Sequence, residues 1–246
     1  MSAAVHETSF MVKLKAREEV AERTLSLRLE RPAGFIFKPG QYIDVTLPNP
    51  PETDAEGNVR TFSIASAPDE STLMIATRLR GSAFKRVVAV MPIDSEVKIE
   101  GPFGNLTMHN NAARPAVLLA GGIGITPFRS MVLRAAREKL GHRIFLFYSN
   151  RRPEDAPFLA ELQALEKENR NYKFIGTMTE MSKSNRPWNG ERELIKEALL
   201  SKYLKDTSDS VFYIAGPPAM VTGLQNVLIG MGVDEDNIRT EEFSGY

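Results

Sequence analysis

The stretch Leu118-Leu119-Ala120-Gly121-Gly122-Ile123-Gly124-Ile125-Thr126-Pro127-Phe128 runs an apolar segment into a glycine turn and then into a helical pattern. Residues 116–120 are continuously apolar, as a parallel strand covered on both faces must be. Gly121, Gly122 and Gly124 let the backbone bend tightly and approach a ligand, Thr126 is placed to cap the helix that follows, and Pro127 suits its first turn. Such a helix start gathers unpaired N–H groups and the positive end of the helix dipole, so a pyrophosphate is its natural guest. The glycines do not spell G-x-G-x-x-G, and no lysine follows them as in a Walker loop, so neither of those nucleotide-binding patterns applies. A plain strand-to-helix turn of any α/β domain remains open on these residues alone.

Downstream the unit repeats. Strand-like runs at 116–120, 144–148, 172–178 and 211–215 alternate with helical patterns. Phe128, Met131, Val132 and Ala135 share one helical face; Phe158, Leu162 and Leu165 the next; Leu194, Ile195, Ala198 and Leu199 a third; Met220, Leu224, Val227 and Leu228 a fourth. In a doubly wound sheet, ligands bind beyond the carboxyl ends of the strands. That points to three loops: 121–126, Ser149-Asn150-Arg151-Arg152, and Gly216-Pro217-Pro218-Ala219-Met220. Arg151 and Arg152 stand where many NAD-dependent folds carry an acid for the ribose hydroxyls, which leans toward a 2′-phosphate and hence NADP; a solvated loop is the other reading. The loop 181–190, with Trp188, is either a lid or a packed loop. The chain closes with Arg239-Thr240-Glu241-Glu242-Phe243-Ser244-Gly245-Tyr246, a final strand and tail that fray unless anchored.

The first half reads differently. After a polar leader, Phe10, Val12, Leu14 and then Leu25, Leu27, Leu29 alternate with other residues, as strands buried on one face do. Tyr42, Val45, Leu47 and the runs 60–65, 73–79 and 96–100 continue the pattern, with Pro, Gly, Asn and Asp between them, which argues for a small antiparallel barrel. One helix interrupts it at 83–90, entered from Arg80-Gly81-Ser82 with Ser82 at its N-cap, and Lys85 adds charge to this second candidate phosphate cradle. In Arg60-Thr61-Phe62-Ser63-Ile64-Ala65-Ser66 polar groups interrupt a strand; the alternatives are a ligand face and a solvated edge carrying Arg60 and Ser66. Residues 50–59 read as an exposed loop without a catalytic signal, and 109–114 as a polar connector, giving a barrel domain at 1–111 and an α/β domain at 112–246.

Composition narrows the function. The chain has 246 residues and 42% hydrophobic content, enough for two ordinary cores. Its 31 basic and 31 acidic residues cancel, so no global field recommends nucleic acid or an anionic membrane as partner. The absence of a long apolar leader argues against a signal peptide and membrane insertion, and predicts a cytoplasmic address. With no cysteine, this chain can build neither a disulfide nor a thiolate metal or iron–sulfur site. His6, His109 and His142 are scattered, so no metal site is expected; they read as surface or packing residues.

Taken together, the barrel-then-α/β order, Arg60-Thr61-Phe62-Ser63, the run 121–127, Ala215-Gly216-Pro217-Pro218-Ala219-Met220 and the terminal Glu241-Glu242-Phe243 resemble the ferredoxin-NADP reductase superfamily over nearly the whole chain. Pro39-Gly40-Gln41 and Gly101-Pro102-Phe103-Gly104 also sit where the family has such motifs. The resemblance implies FAD on the barrel and NAD(P)H on the second domain, and Arg151 and Arg152 lean the choice of coenzyme toward NADPH. It implies that Arg60 meets the flavin pyrophosphate, Phe62 packs on the ring and Ser63 lies near flavin N5, with Thr61 in the same motif. Thr77, Arg78 and Leu79 would border the ring through their backbone, and Ser82, Ala83, Phe84 and Lys85 would hold the pyrophosphate. Gly122, Ile123, Gly124, Ile125, Thr126 and Pro127 would hold the coenzyme near its nicotinamide, with Gly216, Pro217 and Met220 opposite. Phe243 or Tyr246 would cover the flavin, and Glu241 would tune proton delivery. Phe62 stands where the family usually has Tyr, and Ala215 where Cys is common.

The implied activity is hydride transfer from NAD(P)H to FAD, with electrons leaving to a ferredoxin, a flavodoxin, an oxygenase component or free flavin. The alternatives are a nucleotide-binding subunit or regulatory module that does not turn over, and a reductase that releases its flavin. The sequence leaves oligomeric state open.

Overall fold

The structure, a computed structural model, describes residues 8–243. Six strands form the first lobe: β1 (Ser9–Ala21), β2 (Thr24–Glu30), β3 (Tyr42–Thr46), β4 (Val59–Ser63), β5 (Thr72–Arg78) and β6 (Glu96–Phe103), in the order β4-β3-β6-β1-β2-β5 with antiparallel pairing throughout. The two ends of that order meet where Ala65 N–H donates to Met74 C=O at 2.7 Å and Met74 N–H donates to Ser66 Oγ at 3.0 Å, which closes a barrel. The alternating pattern explains the closure: Val12, Leu14, Leu27, Leu29, Ile43, Val45, Val97 and Ile99 all point into one buried cluster. Helix α1 (Ala83–Val90) plugs this cluster with Phe84, Val87 and Val88, each such side chain contributing roughly 1.5–3 kcal/mol of apolar burial. Ser66 is fully buried, so the polar run after Arg60 is not a solvated edge.

The second lobe is a parallel sheet of β7 (Ala116–Gly121), β8 (Ile144–Asn150), β9 (Tyr172–Met178), β10 (Val211–Gly216) and β11 (Ile238–Glu242), ordered β11-β10-β7-β8-β9. Leu118, Ala120, Leu146 and Tyr148 face helices α2 (Ile125–Arg137) and α3 (Leu159–Glu168); Val117, Leu119, Phe147 and Ile214 face α4 (Glu197–Tyr203) and α5 (Pro218–Gly230). Both faces are therefore covered, as the continuous apolar runs require. The strand order reverses between β7 and β10, so the loops after these strands meet at the crevice where such sheets bind ligands.

Two local expectations are corrected, and two open ones are settled. Thr126 does not cap α2: the helix begins at Ile125, and Thr126 Oγ1 donates to Ile123 C=O at 3.0 Å. The third helix starts only at Glu197, with Leu194 exposed, because the chain before it pairs with β9. There Met178 N–H donates to Glu191 C=O and Glu191 N–H to Gly176 C=O, which holds the segment extended. The tail is anchored, since β11 pairs with β10 in register Ala215↔Glu241 and Phe243 N–H donates to Gly216 C=O at 2.9 Å. Trp188 is buried and its indole N–H donates to Glu191 C=O, so its loop is a packed one. The connector is docked as well: His109 N–H donates to Tyr213 Oη at 2.8 Å. His6 and Tyr246 lie outside the described residues. Among the described residues, no helix is long and apolar enough to cross a membrane.

Candidate functional site

A cleft of about 400 Å³ lies between the lobes. The barrel contributes Arg60, Thr61, Phe62, Ser63, Thr77, Arg78, Arg80, Ser82 and Lys85; the α/β lobe contributes Ile123, Thr126 and Phe243. Strand β4 delivers its residues by alternation. Arg60 and Phe62 turn toward α1, with the Arg60 guanidinium 5.4 Å from the Phe84 ring and the Phe62 and Phe84 rings 5.8 Å apart. Ser63 points across the cleft, 3% exposed, and its Oγ donates to Glu241 Oε1 at 3.2 Å. Burial pushes the Glu241 carboxyl up to about 7, against the opposing pull of the Ser63 hydrogen bond. The two lobes thus place a hydroxyl and a carboxyl that titrates near neutrality in direct contact.

The start of α1 forms the cradle. Ser82 Oγ accepts from Lys85 N–H at 3.4 Å, the cap that the sequence predicts. Burial, with Arg80 and Arg60 nearby, lowers the Lys85 ammonium from its ordinary value. Ala83 N–H donates to Asp54 Oδ2 at 2.6 Å, and Arg60 Nη2 pairs with Asp54 Oδ1 at 3.4 Å and Glu56 Oε2 at 2.7 Å. The Ala83 N–H bond holds the Asp54 carboxyl below the usual carboxylate range. The loop before β4, which reads in the sequence as exposed and chemically silent, therefore lays two carboxylates on the cradle. Its carboxylates Asp54 and Glu56, 6 and 4 residues before Arg60, are the signal that could have found them.

The α/β side is built from backbone. A Cβ on Gly124 would lie 2.2 Å from Ala215 C=O, and Gly122 has φ +52°, so these glycines serve the packing of the β7 turn on the β10 turn. Ile125 and Pro127 are buried within α2, and Met220 packs its sulfur against Gly121. Of the coenzyme-side residues that the sequence singles out, Ile123, Thr126 and Phe243 reach the cleft wall, whereas Gly216, Pro217 and Met220 do not line it. Leu79 is not on the wall either; its N–H donates to Arg23 C=O. Arg151 is largely exposed, with Nε 3.6 Å from Glu180 Oε1, while Arg152 forks onto Asp155 at 2.8 Å.

Residues 118–226 match the protein family described as "Oxidoreductase NAD-binding domain". The chain is 25% identical over 224 residues to the glycine betaine monooxygenase reductase subunit of Chromohalobacter salexigens, covering 90% of this chain and 60% of that protein. It is 27% identical over 246 residues to ferredoxin–NADP reductase B of Sorangium cellulosum, covering 95% and 97%. The crystal structure of a ferredoxin NADP+ reductase from Neisseria gonorrhoeae with bound FAD and NADP superposes with a TM-score of 0.79, at 21% identity, covering 96% of this chain and 99% of that one. The chain spans between about half and two thirds of the length of several of these curated relatives. Its fold, an antiparallel barrel followed by a parallel α/β sheet, is that of the ferredoxin–NADP reductase type.

The residues fit a flavin dinucleotide. The cleft joins an apolar floor with a hydroxyl to a basic end, and that basic end already holds anions, the Asp54 and Glu56 carboxylates, on the donors a diphosphate would use. Arg78, on the same wall, keeps a buried Nε with no hydrogen-bond partner among the described residues.

Proposed function

We propose that this chain is an FAD-dependent NAD(P)H oxidoreductase that passes electrons to an external acceptor, a small carrier protein such as a ferredoxin or flavodoxin, or an oxygenase component. The division into a flavin domain at 1–111 and a coenzyme domain at 112–246 is part of this reading. The observation that carries it is the contact between Ser63 and Glu241, which joins the barrel to the last strand of the α/β lobe inside the cleft. When bound, FAD supplies the hydride acceptor and an outlet for electrons one or two at a time.

The chain's own residues do the rest. Arg60, the first N–H groups of α1, Ser82 and Lys85 hold the diphosphate, and Phe62 and Phe243 wall the ring site against water. The single Ser63 hydroxyl proton goes to Glu241 when that carboxyl is ionised; when Glu241 is protonated, it donates to Ser63 Oγ and leaves the hydroxyl free to donate into the ring site. The start of α2 receives the coenzyme, and the exposed Arg151 favours NADPH. Stopped-flow reduction of the FAD-loaded protein with NADH and NADPH in parallel tests the reading. Both coenzymes reduce it, NADPH faster, and Ser63→Ala slows the step by about tenfold or more; an unchanged rate in Ser63→Ala removes the site assignment.

A second reading, a reductase that releases its flavin, is favoured by one observation. Asp54 and Glu56 compete for the donors of the diphosphate cradle, which weakens retention of the cofactor. A colourless protein fraction from a desalting column, with free FAD eluting later among the small molecules, supports that reading.

A further inference from the structure

Arg152, which the sequence offers as a coenzyme reader, is engaged elsewhere. Its Nε and Nη2 fork onto both oxygens of Asp155 at 2.8 Å, and Nη2 also reaches Glu22 Oε2 at 2.9 Å, on the hairpin turn between β1 and β2 of the barrel. A bidentate guanidinium of this kind is a geometric fastener more than a mobile charge. Glu22 N–H donates to Glu154 C=O at 2.8 Å, so the same hairpin tip meets the loop after β8 by backbone as well. From the other direction Arg78, at the end of β5, donates from Nη2 to Asp155 C=O at 2.7 Å. Asp155 is 8% exposed and therefore sits as a buried hub, tied to Arg152 through its side chain and to Arg78 through its carbonyl. Arg152 holds its carboxyl below the usual carboxylate range.

The same hairpin tip grips β5 as well. Arg23 C=O accepts from Leu79 N–H at 2.7 Å, one residue beyond Arg78. Arg78 lines the cleft, so the chain of contacts from Glu22 through Arg152 and Asp155 ends at the cleft wall.

We propose that Arg152 is a positioning residue: Glu22, Arg152 and Asp155 form a strut between the two lobes that fixes Arg78 on the cleft wall, and Arg152 does not read the coenzyme's 2′-phosphate. The proposal rests on the reading of the cleft as the flavin and coenzyme site. It leaves Arg151 as the arginine of that loop that faces solvent beyond the sheet.

The test combines a double-mutant cycle with coenzyme kinetics. Glu22→Gln, Arg152→Gln and the pair are unfolded in urea as the full chain, with Arg152→Lys, which keeps the charge and loses the fork, as the milder variant. Because Glu22 is half exposed, the expected coupling is roughly two- to fivefold in the unfolding equilibrium constant. In the FAD-loaded protein, Arg152→Gln lowers the hydride-transfer rate at saturating coenzyme by the same factor for NADH and NADPH, Arg152→Lys lies between it and the parent, and Glu22→Gln moves in the same direction. A loss confined to NADPH makes Arg152 a reader and overturns the proposal, as does an additive cycle. A coupled cycle in a protein that neither coenzyme reduces contradicts the proposed function and leaves the strut standing.

Discussion

The two walls of the cleft are made by opposite means. On the barrel wall, function rests on side chains: Arg60, Ser63, Ser82 and Lys85 present charge and hydroxyl groups from a strand and a helix start. On the α/β wall, it rests on backbone pressed against backbone, where Gly124 approaches Ala215 too closely for any Cβ and the β7 and β10 turns lock together. A substitution on the first wall should therefore change chemistry and leave the fold, whereas one on the second should change the fold first.

The largest effect comes from the second wall. Gly124→Ala forces a methyl into the Ala215 carbonyl, and neither partner is a flexible side chain, so unfolding in urea should show a loss of about 3 kcal/mol. A loss below about 1 kcal/mol would mean that the turn can shift, and the contrast between the walls would weaken.

Glu241 sits where the walls meet, and its effect is expected to be no larger and to depend on pH. Its folded-state value of about 7 lies above an ordinary carboxylate's, so the folded protein holds this proton more tightly than the unfolded chain. The stability from that difference is fully present below about pH 4.5 and is lost as pH rises through about 7. Measured against Glu241→Gln, the parent should lose about 3 kcal/mol as pH rises from below 4.5 to above 7. Parallel pH profiles for the two proteins would place Glu241 in water.

The smallest effect belongs to the barrel wall. Asp54→Asn removes a carboxylate from the Ala83 N–H and from Arg60, which frees both for a diphosphate. Isothermal titration should show FAD binding tighten by roughly two- to tenfold with the melting temperature little changed. Weaker FAD binding would mean that Asp54 orders the cradle instead of competing for it.

This contrast also explains what was legible in the sequence. The barrel, the doubly wound sheet and the Ser82 cap follow from short-range rules: alternation, continuous apolar runs, and a hydroxyl before a helix. Arg60 and Ser63 were visible because polar groups interrupt a strand there. The engagement of Asp54 and Glu56 with the cradle was hidden, because an acidic loop looks the same whether it meets water or an arginine 4 or 6 residues away. The start of α4 is not legible, because pairing of the segment around Glu191 with β9 is a tertiary event that overrides helical spacing. Arg152 shows the same limit: its partner Glu22 lies 130 residues earlier, and nothing local announces it. The glycines of the β7 turn stand out in the sequence for the freedom that they give the backbone, while the constraint on Gly124 comes from Ala215 of β10, 91 residues further on.

The central claim is that one flavin lies in the cleft between Ser63 and Phe243 and accepts hydride from a pyridine nucleotide. The direct measurement is an anaerobic absorbance titration: protein reconstituted with FAD and freed of excess is titrated with NADPH and, separately, NADH. The account predicts a retained flavin band that bleaches with one equivalent of coenzyme. A folded protein that takes up no flavin, or a bound flavin whose band neither coenzyme changes, would contradict it.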